Sequence, residues 1–253
     1  MTIDPASPST AAFSGAQPQD RADVEYEPLV VSSASASRDP SIMGYDEQFV
    51  KPEGRRGDIP ALWAALISTA VFLISTWAIT LANNPTSLGL FFFHPLLQSL
   101  AVSVFTYGIL TLQPTSQAKT KAAGLIRHQL AILALGVPAI ALGTLAIVYR
   151  KYLHESPHFT TWHGIILGAG SVWFGGRLFG GNPKAKLVWK YHRASGYLLF
   201  PLFLLAAHLG GAWSNWSTGN SPYVVRLLAY TVSPVVMFAA ILVRMRTSKM
   251  QFF

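Results

Sequence analysis

Histidine is the residue of this chain whose placement best suits chemistry within a membrane. The chain has 253 residues, seven histidines and no cysteine. Four of the histidines, at positions 94, 128, 163 and 192, fall near the ends of long apolar stretches. An ionisable side chain at such a position is a functional candidate, because it is costly to bury in hydrocarbon. Imidazole can ligate a metal, relay a proton or hydrogen-bond to a neighbouring helix.

Carboxylates are nearly absent from the part of the chain that holds these histidines. Ten of the 11 Asp and Glu residues fall in the first 58 positions, and Glu155 is the only one after them, against 14 Lys and Arg. This excludes enzymes that use paired carboxylates as acid and base. The lack of cysteine excludes zinc ribbons, iron–sulfur clusters, disulfide scaffolds and thiol nucleophiles.

The composition indicates an all-α membrane protein. Hydrophobic residues make up 51% of the chain and charged residues 12%, whereas a soluble domain averages about 25% charged. A helix crossing the hydrocarbon needs about 20 apolar residues, and the charge-free stretches predict a bundle of six transmembrane helices. These lie near 60–82, 88–112, 123–149, 159–180, 187–213 and 222–245. Pro138, Pro201 and Pro234 fall inside predicted spans and are candidate kinks.

The charge distribution predicts the orientation and the domains. Fourteen basic residues fall on one side of the six-span arrangement and three on the other, which predicts that both termini are cytoplasmic. Residues 1–57 are acidic and lack a long apolar run, so we expect a disordered cytoplasmic tail. Residues 58–248 then form the six-helix domain. The net charge of +8 is read as an orientation signal, so nucleic acid is not an expected partner.

Antiparallel threading groups the four histidines by depth. His94 and His163 open the second and fourth spans on the non-cytoplasmic side, while His128 and His192 open the third and fifth on the cytoplasmic side. Facing imidazoles in an apolar bundle without cysteine favour heme b with two axial histidines, a coordination suited to electron transfer. Two hemes are therefore expected. Interhelical hydrogen bonding and a proton relay remain the alternatives, although a relay usually recruits Asp or Glu.

Two further histidines have open roles. His208 lies 16 residues after His192, about 24 Å along the same helix. It can compete as a ligand, contact a propionate or line an outer pocket, and we favour a role other than ligation. His158 lies in the loop between the third and fourth spans, where it is either solvated or part of an outer site for substrate or metal.

The motifs around the histidines resemble the eukaryotic cytochrome b561 family, most closely its short branch of cytochrome b561 domain-containing proteins. The resemblance covers about residues 60–245 and includes neither terminus. The resemblance rests on the motifs His94-Pro95-Leu96-Leu97, Arg127-His128, Thr161-Trp162-His163-Gly164 and Tyr191-His192-Arg193-Ala194-Ser195-Gly196. The order and spacing of the four histidines, 34, 35 and 29 residues apart, are more specific than any one motif. Gln98 departs from the pattern, because family members often carry Met there.

The resemblance implies a transmembrane oxidoreductase. His94 with His163 would hold the non-cytoplasmic heme, and His128 with His192 the cytoplasmic one. Single electrons would pass from cytoplasmic ascorbate to monodehydroascorbate or a ferric chelate on the other side. The alternative class is a non-redox membrane protein, such as a metal or proton transporter or an assembly factor, that uses the same histidines.

Basic residues are the candidates for binding the anionic substrates. An anionic donor or the heme propionates need cations near the cytoplasmic pair, and the candidates are Lys119, Lys121, Arg127 and Arg193. These residues also orient the chain, whatever they bind. Arg150 is the corresponding candidate for an anionic acceptor on the outer side. We expect membrane lipid as a further partner, and a homodimer is left open.

Overall fold

The structure, a computed structural model, describes residues 55–113, 118–166, 168 and 185–246. Within these ranges the chain is helical and has no strand. Five helical spans are long and apolar enough to cross a membrane: Asp58–Ala82, Pro85–Leu110, Thr120–Leu153, His192–Trp213 and Tyr223–Arg244. The prediction of an all-α chain with several such helices is confirmed. The predicted fourth span and the predicted tail lie largely outside the described residues. Within the fourth span, the described residues 162–166 and 168 are helical.

Within the described ranges, the five spans and the connection between the last two contain nine α-helices, one 3₁₀ turn and two π-helical segments. The first half contains α1 (Asp58–Ala82), α2 (Pro85–Leu88), a 3₁₀ turn (Gly89–Phe92), α3 (Phe93–Leu110), α4 (Ala118–Gln129), a π-helical segment (Leu130–Gly136) and α5 (Val137–Leu153). The second half contains α6 (Ala185–Trp213), α7 (Asn215–Asn220), α8 (Tyr223–Arg226), a π-helical segment (Leu227–Val232) and α9 (Ser233–Arg244).

Three threonines buried in the apolar helices are satisfied by their own helix. The hydroxyls of Thr76, Thr80 and Thr106 each donate to the carbonyl four residues earlier, at 2.7, 2.7 and 2.8 Å. Such back-bonding leaves no donor exposed to hydrocarbon. The apolar stretches can therefore contain these residues and still pack as spans.

Two of the three candidate kinks follow π-helical segments. Pro138 is the second residue of α5 and Pro234 the second residue of α9. Proline lacks an N–H and crowds the carbonyl four residues earlier, and the wider π turn just before it relieves that crowding. Pro201 lies inside α6, which is helical on both sides of it.

At one end of the bundle, which we call the latch end, a charged contact joins α1 and α9. Gly57 has φ +99°, a left-handed conformation suited to glycine, and α1 begins at the next residue. The buried carboxylate of Asp58 pairs with Arg246 at 2.7 Å, and the Arg244 guanidinium donates to the Asp58 carbonyl. The start of α1 and the end of α9 are therefore adjacent.

At the opposite end, which we call the far end, uncharged groups of α7 contact the connection between α1 and α3. The Asn83 amide donates to the Asn220 carbonyl at 3.4 Å. The rings of Phe91 and Trp216 meet edge to face, with centroids 5.1 Å apart. The short helix α7 thus packs over the connection between α1 and α3.

Candidate functional site

The far end holds His94 and His163 side by side. His94 is the second residue of α3, and His163 lies in the helical stretch 162–166. The centroids of their imidazole rings are 5.9 Å apart and the ring planes are almost perpendicular, at 85°. Both side chains are half-buried. The depth argument predicts that these two histidines adjoin, and here they do.

The latch end holds the second pair, His128 of α4 and His192 of α6. Their ring centroids are 6.4 Å apart, with an interplanar angle of 89°. His128 is half-buried, whereas His192 is exposed. The two pairs therefore share their ring separation and mutual orientation but not their burial.

The rise of an α-helix, about 1.5 Å per residue, places the two pairs about 20 Å apart. Each of three helical spans carries a histidine of one pair and a small residue in contact with the other pair. The two positions are 14 residues apart for His94 and Gly108, 15 for His128 and Gly143, and 14 for His192 and Ala206. Because the three counts agree, the pairs lie at two distinct levels near opposite ends of the bundle.

Backbone carbonyls fix the orientation of three of the four imidazoles. Nδ1 of His94 lies 3.0 Å from the Gly143 oxygen, Nδ1 of His163 2.6 Å from the Ala206 oxygen, and Nδ1 of His128 3.1 Å from the Gly108 oxygen. A carbonyl only accepts, so Nδ1 carries the proton in each case and the lone pair is on Nε2. This is the usual arrangement of a histidine that ligates a metal through Nε2.

The residues that make these contacts are small, and the sequence analysis did not identify them. A Cβ added to Gly143 would lie 3.0 Å from the Leu97 Cβ, and one added to Gly210 would lie only 2.7 Å from Nδ1 of His163. Small residues let membrane helices approach closely enough for side chains to reach a neighbouring backbone. The repeated spacing of 14 or 15 residues between a histidine and Gly or Ala was the available sequence signal.

His208 binds other protein groups through both ring nitrogens. Its Nδ1 donates to the Tyr230 carbonyl at 2.8 Å, and its Nε2 accepts from the Trp213 indole at 3.1 Å. The hydroxyl of Thr231 lies 3.3 Å from the same Nδ1. This arrangement agrees with the preference for a role other than ligation.

The basic candidates lie around the latch-end pair. Arg127 and Arg193 directly adjoin His128 and His192 in sequence, the first exposed and the second half-buried. Lys121 is half-buried near the start of α4. Lys119 also belongs to α4, but its side chain lies outside the described part of the structure.

Arg150 lies close to the far-end pair. Its guanidinium is 5.7 Å from the centroid of the Phe91 ring, and that ring is 6.2 Å from the His94 ring. Phe91 therefore separates a cation from an imidazole. His158 is exposed in the following loop and lines an open cleft of about 510 Å³ with Lys151, Tyr152, Leu153, Glu155 and Ser156.

Gln98 is half-buried and binds to α5. One turn after His94, its amide donates to the Thr144 hydroxyl at 2.9 Å and to the Ile140 carbonyl at 3.2 Å. The polar side chain found where b561 sequences often have Met thus bridges two helices at the level of the far-end pair.

Comparisons of the chain with protein-family models, curated proteins and solved structures find no match. Within the described ranges, no three His, Asp or Glu side chains are grouped as ligands for a metal ion. The distinctive feature of this part of the structure is the two imidazole pairs at opposite ends of an apolar helical bundle.

Proposed function

We propose that this chain is a transmembrane electron carrier of the cytochrome b561 type, with one b-type heme at each histidine pair. Single electrons would enter from ascorbate in the cytoplasm and leave to monodehydroascorbate or a ferric chelate on the other side. The observation that carries the proposal is the pair of ring separations, 5.9 Å at the far end and 6.4 Å at the latch end.

The spacing of each pair fits a metal between the two rings. Metal–imidazole bonds are about 2.0 Å long, so ring centroids about 6 Å apart would leave room for one metal ion between the imidazoles. His94 with His163 and His128 with His192 would then hold one heme iron each. When bound, heme supplies reversible one-electron chemistry.

The protein's contribution is to orient the imidazoles and to surround them with apolar helices. The carbonyls of Gly143, Ala206 and Gly108 hold the Nδ1 protons of His94, His163 and His128. A hydrogen bond at Nδ1 makes imidazole a more basic ligand through Nε2. Apart from Asp58, the first residue of the first span, the five apolar spans contain no Asp or Glu, the usual partners of a proton relay.

The surrounding charges support a direction of transfer. Arg127, Arg193, Lys121 and Lys119 would attract anionic ascorbate to the latch end, which we assign to the cytoplasm. Arg150 would serve the acceptor at the far end. The proposal includes six spans, of which residues 159–180 would form the fourth. Both termini would lie in the cytoplasm, and residues 1–57 would form a disordered tail.

The test is the heme content of the full-length protein, purified in detergent after expression with ample heme. We expect two low-spin b-type hemes per chain. His94→Ala and His163→Ala should remove the same spectral component, and His128→Ala and His192→Ala the other. His154→Ala, in the exposed loop, is the control and should keep both. A colourless wild-type protein, or losses that do not follow the pairs, would contradict the proposal.

A further inference from the structure

We propose that His208 is a positioning residue for the far-end pair: it holds α6 so that the Ala206 carbonyl and Gly210 keep His163 in place. The inference rests on the proposed function for its readout. It assigns a role to the one histidine within the spans that the two pairs do not use.

The contacts of α6 divide between two opposite faces. At about 100° per residue, Ala206 and Gly210 lie about 40° apart on one face, while His208 and Gly211 lie on the opposite face. The first face meets His163, through the Ala206 carbonyl at 2.6 Å and through Gly210, where an added Cβ would be 2.7 Å from Nδ1. A rotation or shift of α6 would therefore move both contacts at once.

The second face of α6 is fastened to the π-helical segment 227–232. His208 donates to the Tyr230 carbonyl at 2.8 Å, and a Cβ added to Gly211 would overlap the Tyr230 ring. Pro234 has no N–H to give to the carbonyl four positions earlier, which is that of Tyr230. The His208 bond supplies this carbonyl with a donor and joins α6 to its neighbour.

The second ring nitrogen of His208 also makes a hydrogen bond. Nε2 accepts from the Trp213 indole at 3.1 Å, on the last residue of α6. Both nitrogens are engaged, with the proton on Nδ1. The side chain therefore ties the end of α6 to itself and to the π-helical segment, on the face turned away from His163.

The consequence for the far-end heme has a definite sign. The 2.6 Å bond from His163 to Ala206 raises the basicity of the ligand, and a more basic ligand favours ferric iron. If α6 is released, that bond weakens and the far-end heme becomes easier to reduce. The latch-end heme should not respond, because its contacts lie about 20 Å away.

The test is a potentiometric titration of the full-length, heme-loaded protein, with the far-end component identified from its loss in His163→Ala. His208→Phe keeps a ring but loses both hydrogen bonds. It should shift the far-end reduction equilibrium about tenfold toward the ferrous form, about 59 mV for a one-electron couple. His208→Asn places an amide donor where Nδ1 stood and should restore most of the wild-type value. Trp213→Phe removes one bond and should give a smaller shift.

The outcomes separate this inference from the proposed function. A wild-type protein without heme overturns the proposed function, and the inference with it. Two hemes with an unchanged far-end potential in His208→Phe overturn the inference alone. Loss of one heme in both His208 variants, with both hemes kept in His163→Ala, would make His208 a ligand and overturn it as well. If His208→Phe does not fold, Trp213→Phe and His208→Asn carry the same comparison.

Discussion

At the far end, His94 and His163 are half-buried among aromatic and small residues, and each donates to a carbonyl of a neighbouring helix. At the latch end, His128 has the same kind of bond, but its partner His192 is exposed and both adjoin arginines. The rings are nevertheless spaced alike. The difference indicates two tasks: the far end depends on close packing around both imidazoles, and the latch end combines an exposed imidazole with adjacent positive charge. The following four predictions test this contrast.

The largest effect is expected at Gly210. A methyl group there would lie 2.7 Å from Nδ1 of His163 and 2.8 Å from its Cε1, so Gly210→Ala should displace the ring and remove most of the heme that we propose for the far-end pair. Gly196→Ala on the same helix is the matched control, because nothing lies within 4 Å of its added Cβ. Heme content per chain measures both. Equal content in the two variants would show that packing does not hold His163.

The next largest effect is expected for the ion pair at the latch end. Asp58 is 3% exposed and pairs with Arg246 at 2.7 Å. Asp58→Asn should lower the unfolding free energy by about 2 kcal/mol, since the half-buried guanidinium of Arg246 loses its charged partner. Denaturant titration in detergent measures the change, with Glu155→Gln, in the exposed far-end loop, as the control. Equal stability of the two variants would contradict a latch role for Asp58.

A smaller effect is expected on the reduction of the heme that we propose for the latch-end pair. Arg127→Gln combined with Arg193→Gln should slow reduction by ascorbate about tenfold at low salt, because these charges attract the anion. The difference should shrink in high salt, where screening is strong. Arg56→Gln, which removes an exposed cation elsewhere at this end, is the control. A slowing that persists in high salt would point to damage at the histidines rather than lost attraction.

The smallest effect is expected at Gly108. Its added Cβ would lie 3.0 Å from Cδ1 of Ile132, the far end of a flexible side chain. Gly108→Ala should therefore keep the latch-end heme and change stability by about 1 kcal/mol or less. The same assays as for Gly210→Ala apply. A heme loss as large as that of Gly210→Ala would remove the contrast in packing between the two ends.

The charge-free stretches and the four histidine positions could be read from the sequence because both follow from local composition. Antiparallel threading then predicted which histidines adjoin. The sequence analysis did not identify the small residues that contact the histidines, because their role depends on which helix lies opposite. The same holds for His208, whose acceptor is set by the proline-linked π-helical segment. The π segments have no clear local signature, whereas the repeated spacing between a histidine and Gly or Ala could have been recognised.

Electron transfer across a sealed vesicle tests the central claim most directly. Full-length, heme-loaded protein is reconstituted, ascorbate is trapped inside and a ferric chelate is offered outside. We expect ferrous chelate to form outside with wild-type protein, and to be lost in both His163→Ala and His128→Ala, because the two pairs act in series. Protein-free vesicles give the leak rate. Wild-type reduction no faster than that leak, or undiminished reduction in either variant, would contradict the account.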